Sequence, residues 1–399
     1  ALEARARGER VLVVCADPAD VPRLAQEMPW FEPKLDVRPL PDWETLPYDV
    51  LSPQEELVSE RLEALYRLTA PTGGADVLLT SAVTASQRLS PVSYIGANTF
   101  FFHQGEQISL TTLQKRLAAA GYANVKQVLA AGEFAVRGSI VDVFPMGSER
   151  PFRLDFFDDE IESIRWFDVD TQRSMESAEE IRLLPGHEFP VDPEALLAFR
   201  QRWRREFAGD PKKSIVYCDI EKEILPPGIE YYLPLFFDET AALTDYLPPN
   251  ARVFLLGDIE AALQAFGRDM ASRYKVFAAD PQRPALAPER IWLKPEEFFK
   301  SPANFARFTV EKKENAEDLK RLSGIEVDRK SQNPVGKLLE RTRESAMKGV
   351  RTLIAAPSAG RMETMSQLLR TGGLSVEEFP DWQTFLEADS ALGIAAAPL

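Results

Sequence analysis

Side chains that commonly carry chemistry are scarce in this chain. Its 399 residues include two histidines, His103 and His187, and two cysteines, Cys15 and Cys218. That supply supports neither a zinc cluster, which needs four closely placed ligands, nor a histidine-centred triad. Gly-x-x-x-x-Gly-Lys-Ser/Thr, whose amides and lysine cradle a nucleotide's phosphates, does not occur. Gly336-Lys337 is followed by Leu338 and lacks a second glycine at the required distance. The acids Asp158-Asp159-Glu160 could attract a divalent cation, but they fall where a hairpin turn is expected, and solvated acids are ordinary there. His103 is expected to pack beside Phe100-Phe101-Phe102, and His187 to sit between a turn and Glu188. No residue is assigned to catalysis, to a cofactor or to a metal.

Recognition is the chemistry that remains. The stretch from Arg137 to Asp168 reads as three short strands, Ser139–Phe144, Phe152–Phe157 and Ile161–Phe167. Pro145-Met146-Gly147-Ser148 and Asp158-Asp159-Glu160 separate them, and such tight turns impose an antiparallel meander. With a period of two, Phe152, Leu154 and Phe156 share a core face, while Arg153, Asp155 and Phe157 share the other. A large aromatic beside an arginine on a solvent face has the composition of a binding hot spot. Arg137, just before Gly138, could join them. The blander alternative packs Phe157 under a helix and pairs Arg153 with Asp155 or with an acid of the turn.

The elements that must carry this meander come in two patterns. Arg10–Ala16 is a continuous apolar strand, and Asp17 with Pro18 can start a helix running to about Met28. Leu35–Leu40, a helix over Pro53–Leu68 and a strand over Asp76–Thr80 follow. Strands alternating with helices predict a parallel sheet covered on both faces. From about Asn98 the pattern becomes α+β, with Phe100–His103, a helix over Thr111–Ala120 stopped at Gly121-Tyr122, and the meander. After Leu184 the α/β pattern resumes with a helix over Pro193–Phe207, a strand over Arg252–Leu256 and a helix from Asp258 to about Tyr274.

The expected fold is therefore a parallel-sheet α/β domain with an inserted α+β domain, followed by a second small α/β domain. The boundaries fall at 1–98, 99–185, 186–310, a charged linker at 311–333, and 334–399. The last segment looks like a repeat. Val350–Ala356, a helix, Leu374–Phe379 and Pro380-Asp381-Trp382 parallel Val11–Ala16, a helix, Leu35–Leu40 and Pro41-Asp42-Trp43. Either the same strand-helix-strand unit is used twice or the two segments converge by chance on a common motif, and tryptophans at non-equivalent strand ends would mean chance.

Composition narrows the partners. Hydrophobic residues at 45% with 27% charged describe a globular chain, and no apolar run approaches the ~18 residues that span a bilayer. A net charge of −15 argues against this segment gripping DNA by itself, because phosphate binding needs clustered cations. The densest basic cluster, Arg200, Arg202, Arg204 and Arg205, reads as the solvated face of a helix that also holds Trp203. Few cysteines and no visible leader suggest a reducing, cytoplasmic setting without a membrane partner.

Several long blocks, in order, carry a resemblance. Asp42-Trp43-Glu44-Thr45-Leu46-Pro47-Tyr48-Asp49, Ser59-Glu60-Arg61-Leu62, Phe144-Pro145-Met146-Gly147-Ser148-Glu149, Arg153–Ile161, His187-Glu188-Phe189-Pro190 and Pro227-Gly228-Ile229-Glu230-Tyr231 are similar to the bacterial transcription-repair coupling factor family. More closely, they resemble the part of that family that is similar to the excision-repair protein UvrB. The resemblance implies a degenerate UvrB-like, helicase-like scaffold that has lost its nucleotide site and recruits UvrA through the inserted domain. It places the UvrA contacts at Arg137, Arg153 and Phe157. It assigns RNA polymerase binding, and a DNA motor using ATP and Mg, to domains beyond the C-terminal end of this segment. It also implies that UvrB's phosphate loop would precede this segment's start, and that the whole protein masks the UvrA surface until it meets stalled polymerase. The alternative is a residual ATP- or DNA-dependent enzyme with a degenerate site.

Overall fold

The computed structural model describes residues 2–70, 74–311 and 336–398. Strands β1 (Val11–Cys15), β2 (Val37–Pro39) and β3 (Val77–Ser81) alternate with helices Asp20–Phe31 and Glu55–Thr69. Next come β4 (Phe100–His103), helix Leu110–Ala119, β5 (Ala123–Asn124), β6 (Glu133–Arg137), β7 (Ile140–Val143), β8 (Phe152–Phe157), β9 (Glu160–Phe167), β10 (Ser174–Ala178) and β11 (Glu180–Leu183). Helix Pro193–Glu206 leads on to β12 (Arg252–Leu256), helix Ile259–Phe277 and β13 (Ala306–Val310). The final unit holds β14 (Thr352–Ala356), helix Ala359–Thr371, β15 (Glu377–Phe379) and β16 (Leu392–Ala396).

The first sheet has the order β13-β12-β1-β3-β2 and is parallel throughout. Two segments build it, one before β4 and one after β11. Parallel strands need both faces covered, and Val77, Leu78 and Leu79 of β3 are fully buried. The edge strand β13 is the exception, with all five residues exposed. Between the two segments lies a six-stranded sheet of order β10-β9-β8-β7-β6-β5, antiparallel except for the β5–β6 pair. The antiparallel pair β4–β11 joins its entry to its exit, with Phe100 opposite Leu183.

One apolar core runs from Leu12 and Leu78 of the first sheet, through Leu62 and Leu65 of helix Glu55–Thr69, to Leu154 and Ile164. Burying each such leucine stabilises the fold by about 1.5–3 kcal/mol. A second core is aromatic, with Phe199 and Trp203 of helix Pro193–Glu206 packed against Phe236 and Tyr232.

Some expectations shift. Asp17 forms a local turn by accepting from the Ala19 amide, so the first long helix begins only at Asp20 and continues through Pro29 to Phe31. The meander gains β5 and β10, whose short sequences carry no apolar alternation, and β6, whose Phe134 and Ala135 are buried on successive positions. His103 does not pack with the phenylalanines. It points outward on β4, 3.4 Å from Glu180. The basic cluster is paired rather than merely solvated: Arg202 contacts Asp238 at 2.6 Å, and Arg204 lies over the Tyr217 ring. Apart from Glu311, the expected linker lies outside the described residues. Among the described residues, no helix is long and apolar enough to cross a membrane.

In the final unit the strand order is β14-β16-β15, parallel throughout, and it repeats the β1-β3-β2 order of the first sheet. Trp43 lies four residues beyond edge strand β2 in an irregular segment and is buried. Trp382 lies three beyond edge strand β15, opens helix Trp382–Glu387 and is partly exposed, so the strand order repeats while the settings of the two tryptophans differ.

Candidate functional site

The middle strand β8 keeps the period of two. Phe152, Leu154 and Phe156 are buried, Arg153 and Asp155 are partly exposed, and Phe157 is 72% exposed. Phe157 sits opposite Glu160 at the mouth of a hairpin whose Asp158 adopts φ 56°. A β-bulge between Asp155 and Phe156 bends the ladder just before it. Among the described residues no helix covers Phe157, which removes the bland alternative for that residue.

Arg153 does not pair with Asp155, whose carboxylate accepts instead from the Ser163 hydroxyl at 2.9 Å. Its partner is Asp142, the residue directly across on β7. Arg153 Nε donates to Asp142 Oδ1 at 2.6 Å and Nη2 to Oδ2 at 3.0 Å. The remaining amino group, Nη1, donates to the Gln172 carbonyl and the Ser174 hydroxyl, both at 3.2 Å. Beneath the guanidinium lies the Phe167 ring, 5.0 Å to its centroid. Hydrogen bonding to Asp142 outweighs desolvation and raises the Arg153 pKa above its ordinary value.

Arg137 ends β6, where Gly138 at φ 63° starts the two-residue turn into β7, a conformation other residues rarely adopt. Its Nη2 also donates to Asp142 Oδ2 and lies 3.5 Å from Gln172 Oε1. The structure thus brings Arg137 and Arg153 together on one fully buried carboxylate, while Phe157 stands apart, about 13 Å along the strand from Arg153. Sequence reasoning missed Asp142 and Gln172. The available signal was an acid inside the apolar run Ile-Val-Asp-Val, because aspartate is seldom buried without a partner. Gln172 offered none, because its left-handed backbone, at φ 58°, is visible only in the fold.

Elsewhere the titratable groups serve the fold. His187 stacks on Phe189 at 5.4 Å, and burial pushes its pKa down to about 4. Cys15 is buried in β1, where burial pushes its thiol up to about 11. Among the described residues, no group of three His, Cys, Asp or Glu could hold a metal ion.

Comparison with known proteins supplies the family. Residues 100–189 match the model of the UvrB interaction domain, and residues 346–399 match that of the MFD D3 domain. The transcription-repair-coupling factor of Escherichia coli K12 is 42% identical over 298 residues, which cover 74% of this chain and 26% of that protein. Its counterpart from Haemophilus influenzae is 39% identical over 344 residues, 84% of this chain and 29% of the relative. The one from Bacillus subtilis is 32% identical over 216 residues, 50% of this chain and 18% of the relative. The chain therefore spans well under a third of the curated relatives it matches. With two family models in sequence order and relatives 39–42% identical over most of its residues, this chain belongs to the transcription-repair-coupling factor family.

Proposed function

We propose that this segment is a non-catalytic UvrB-like scaffold that recruits UvrA during transcription-coupled repair, through the surface formed by Arg137, Arg153 and Phe157. One observation supports this reading above the others: Phe157 is 72% exposed on the same sheet face as two guanidiniums held on a buried carboxylate. An exposed aromatic and a preorganised cation on one face are the kind of residues that dominate binding. RNA polymerase, DNA and an ATP- and Mg-dependent motor belong to parts of the relatives outside this segment. The reading places the segment in the cytoplasm and gives it no cofactor of its own.

Calorimetry of UvrA with the wild-type chain and an Arg153→Ala/Phe157→Ala variant tests the proposal, with circular dichroism confirming that the variant folds. Wild-type binding lost in a folded variant supports recruitment at this site. Binding unchanged in the variant sinks the site. Measurable ATP turnover by the chain alone would favour a residual enzyme instead.

A further inference from the structure

Arg137 and Arg153 are not equivalent. A guanidinium carries five N–H donors. Arg153 spends four of them inside the molecule, two on Asp142, one on the Gln172 carbonyl and one on the Ser174 hydroxyl. Its side chain is only 16% exposed. Arg137 uses Nη2 alone, is 48% exposed, and has no acceptor for Nε or Nη1 among the described residues. Two guanidiniums on one carboxylate leave a surplus of one positive charge, and the exposures place that surplus at Arg137.

We propose that Arg137 is the side chain that meets an acid on the docking partner, and that Arg153 is a positioning residue acting through Asp142. This refines the recruitment reading above and rests on it. Asp142 is fully buried and cannot stay ionised alone at modest cost. Arg153 neutralises it from across the ladder, which frees the outer half of Arg137 to face solvent. Gln172 closes the arrangement: its carbonyl accepts from Arg153, its Oε1 faces Arg137, and its Nε2 donates to the Val128 and Val169 carbonyls. Arg137 is opposite Ile140, which is opposite Asp155, so Arg137 and Phe157 share a face about 12 Å apart. The partner surface that fits presents a carboxylate that distance from an apolar pocket.

Without Arg153, Asp142 would claim Arg137 as its sole counter-ion and the surplus charge would vanish. That consequence separates positioning from contact. Arg153→Ala should weaken UvrA binding at least about tenfold, and adding Asp142→Asn should bring affinity back to within about fivefold of wild type. Arg137→Ala should lose as much, and Asp142→Asn should not restore it. A double variant Asp142→Asn/Arg153→Ala no tighter than Arg153→Ala overturns the proposal, because Arg153 would then touch the partner itself. If Arg153→Ala fails to fold, Arg153→Gln replaces it, removing the charge while keeping an amide donor toward Asp142.

A second arm needs no partner. In the free chain, Arg153→Ala should shift the Nε–Hε resonance of Arg137, and an unmoved resonance overturns the coupling. Failure of the wild-type chain to bind UvrA defeats the recruitment reading and the contact given to Arg137. The coupling then stands or falls on the resonance alone.

Discussion

Two arginine–carboxylate centres in this molecule use the same chemistry to different ends. In the first, Arg61 and Glu188 are 0% and 3% exposed and meet through bonds of 2.6 and 3.2 Å. Trp43 Nε1 donates to the same carboxylate at 3.0 Å, and Arg61 Nη1 donates to the Pro41 carbonyl at 2.7 Å. One cation meets one anion and all is sealed. This pair ties helix Glu55–Thr69 to the segment that leaves the inserted sheet. In the second, one sealed carboxylate, Asp142, serves two arginines, one of which reaches solvent. Balanced charge inside holds a fold together, whereas unbalanced charge anchored inside can present a partner with a fixed cation. Stoichiometry separates the two roles, and burial of the acid does not.

The largest effect should come from unbalancing the sealed centre. Glu188→Ala leaves Arg61 buried without a counter-ion and Trp43 without its acceptor, and should destabilise the chain by about 3–5 kcal/mol in urea titration. Arg61→Leu/Glu188→Leu should recover most of that, because neither charge remains buried alone. A double variant as unstable as the single would mean that the pair itself, rather than its balance, sustains the fold.

His187, next to Glu188, adds a pH dependence. Its native pKa of about 4 lies below an unfolded value near 6.5, so between these limits the unfolded state binds more protons. Stability is complete above about pH 6.5 and should fall by about 3 kcal/mol as pH drops to 4. Burial pushes Glu230 the other way, up to about 7, so its contribution is present at low pH and fades as pH rises from about 4.5 to 7. The two oppose each other across one window. His187→Phe should therefore leave stability falling with rising pH, and Glu230→Gln should leave it rising. A flat profile in both variants would refute these assignments.

At the open centre the loss should appear in binding and spare the fold. Phe157→Ala should cost about 2 kcal/mol or more of UvrA affinity, with unfolding free energy unchanged within about 0.5 kcal/mol. A matched loss of stability would show that Phe157 packs rather than docks. Smallest of all should be the effect of masking on this chain. It should bind UvrA more readily than a full-length relative does, and equal affinities would count against masking.

How far the sequence revealed this follows from what is local in it. The alternation along β8 is local, and it placed Arg153 and Phe157 on the right face. The partner of Arg153 depends on register between strands, which no single strand encodes. Asp155, two residues away, was therefore weighed as its partner, and Asp142 on another strand was not. Strand β10, Ser-Met-Glu-Ser-Ala, has no apolar alternation and forms because β9 offers it an edge. The helix start at Asp20 was misplaced because Asp17 satisfies a capping pattern through a turn just ahead of the helix. The repeat of strand, helix and strand in the two α/β units was readable, whereas the order of their strands in the sheets emerges only from the fold.

The β4–β11 ribbon has a mechanical consequence. Phe100 and Leu183 sit at the body end of the ribbon, and His103 and Glu180 at the other. A partner pulling the six-stranded sheet away from the body stretches both strands alike. Their hydrogen bonds are then neither sheared nor peeled, and tension passes along covalent backbone instead. A load on the six-stranded sheet thus reaches the body without unzipping the pair that connects them.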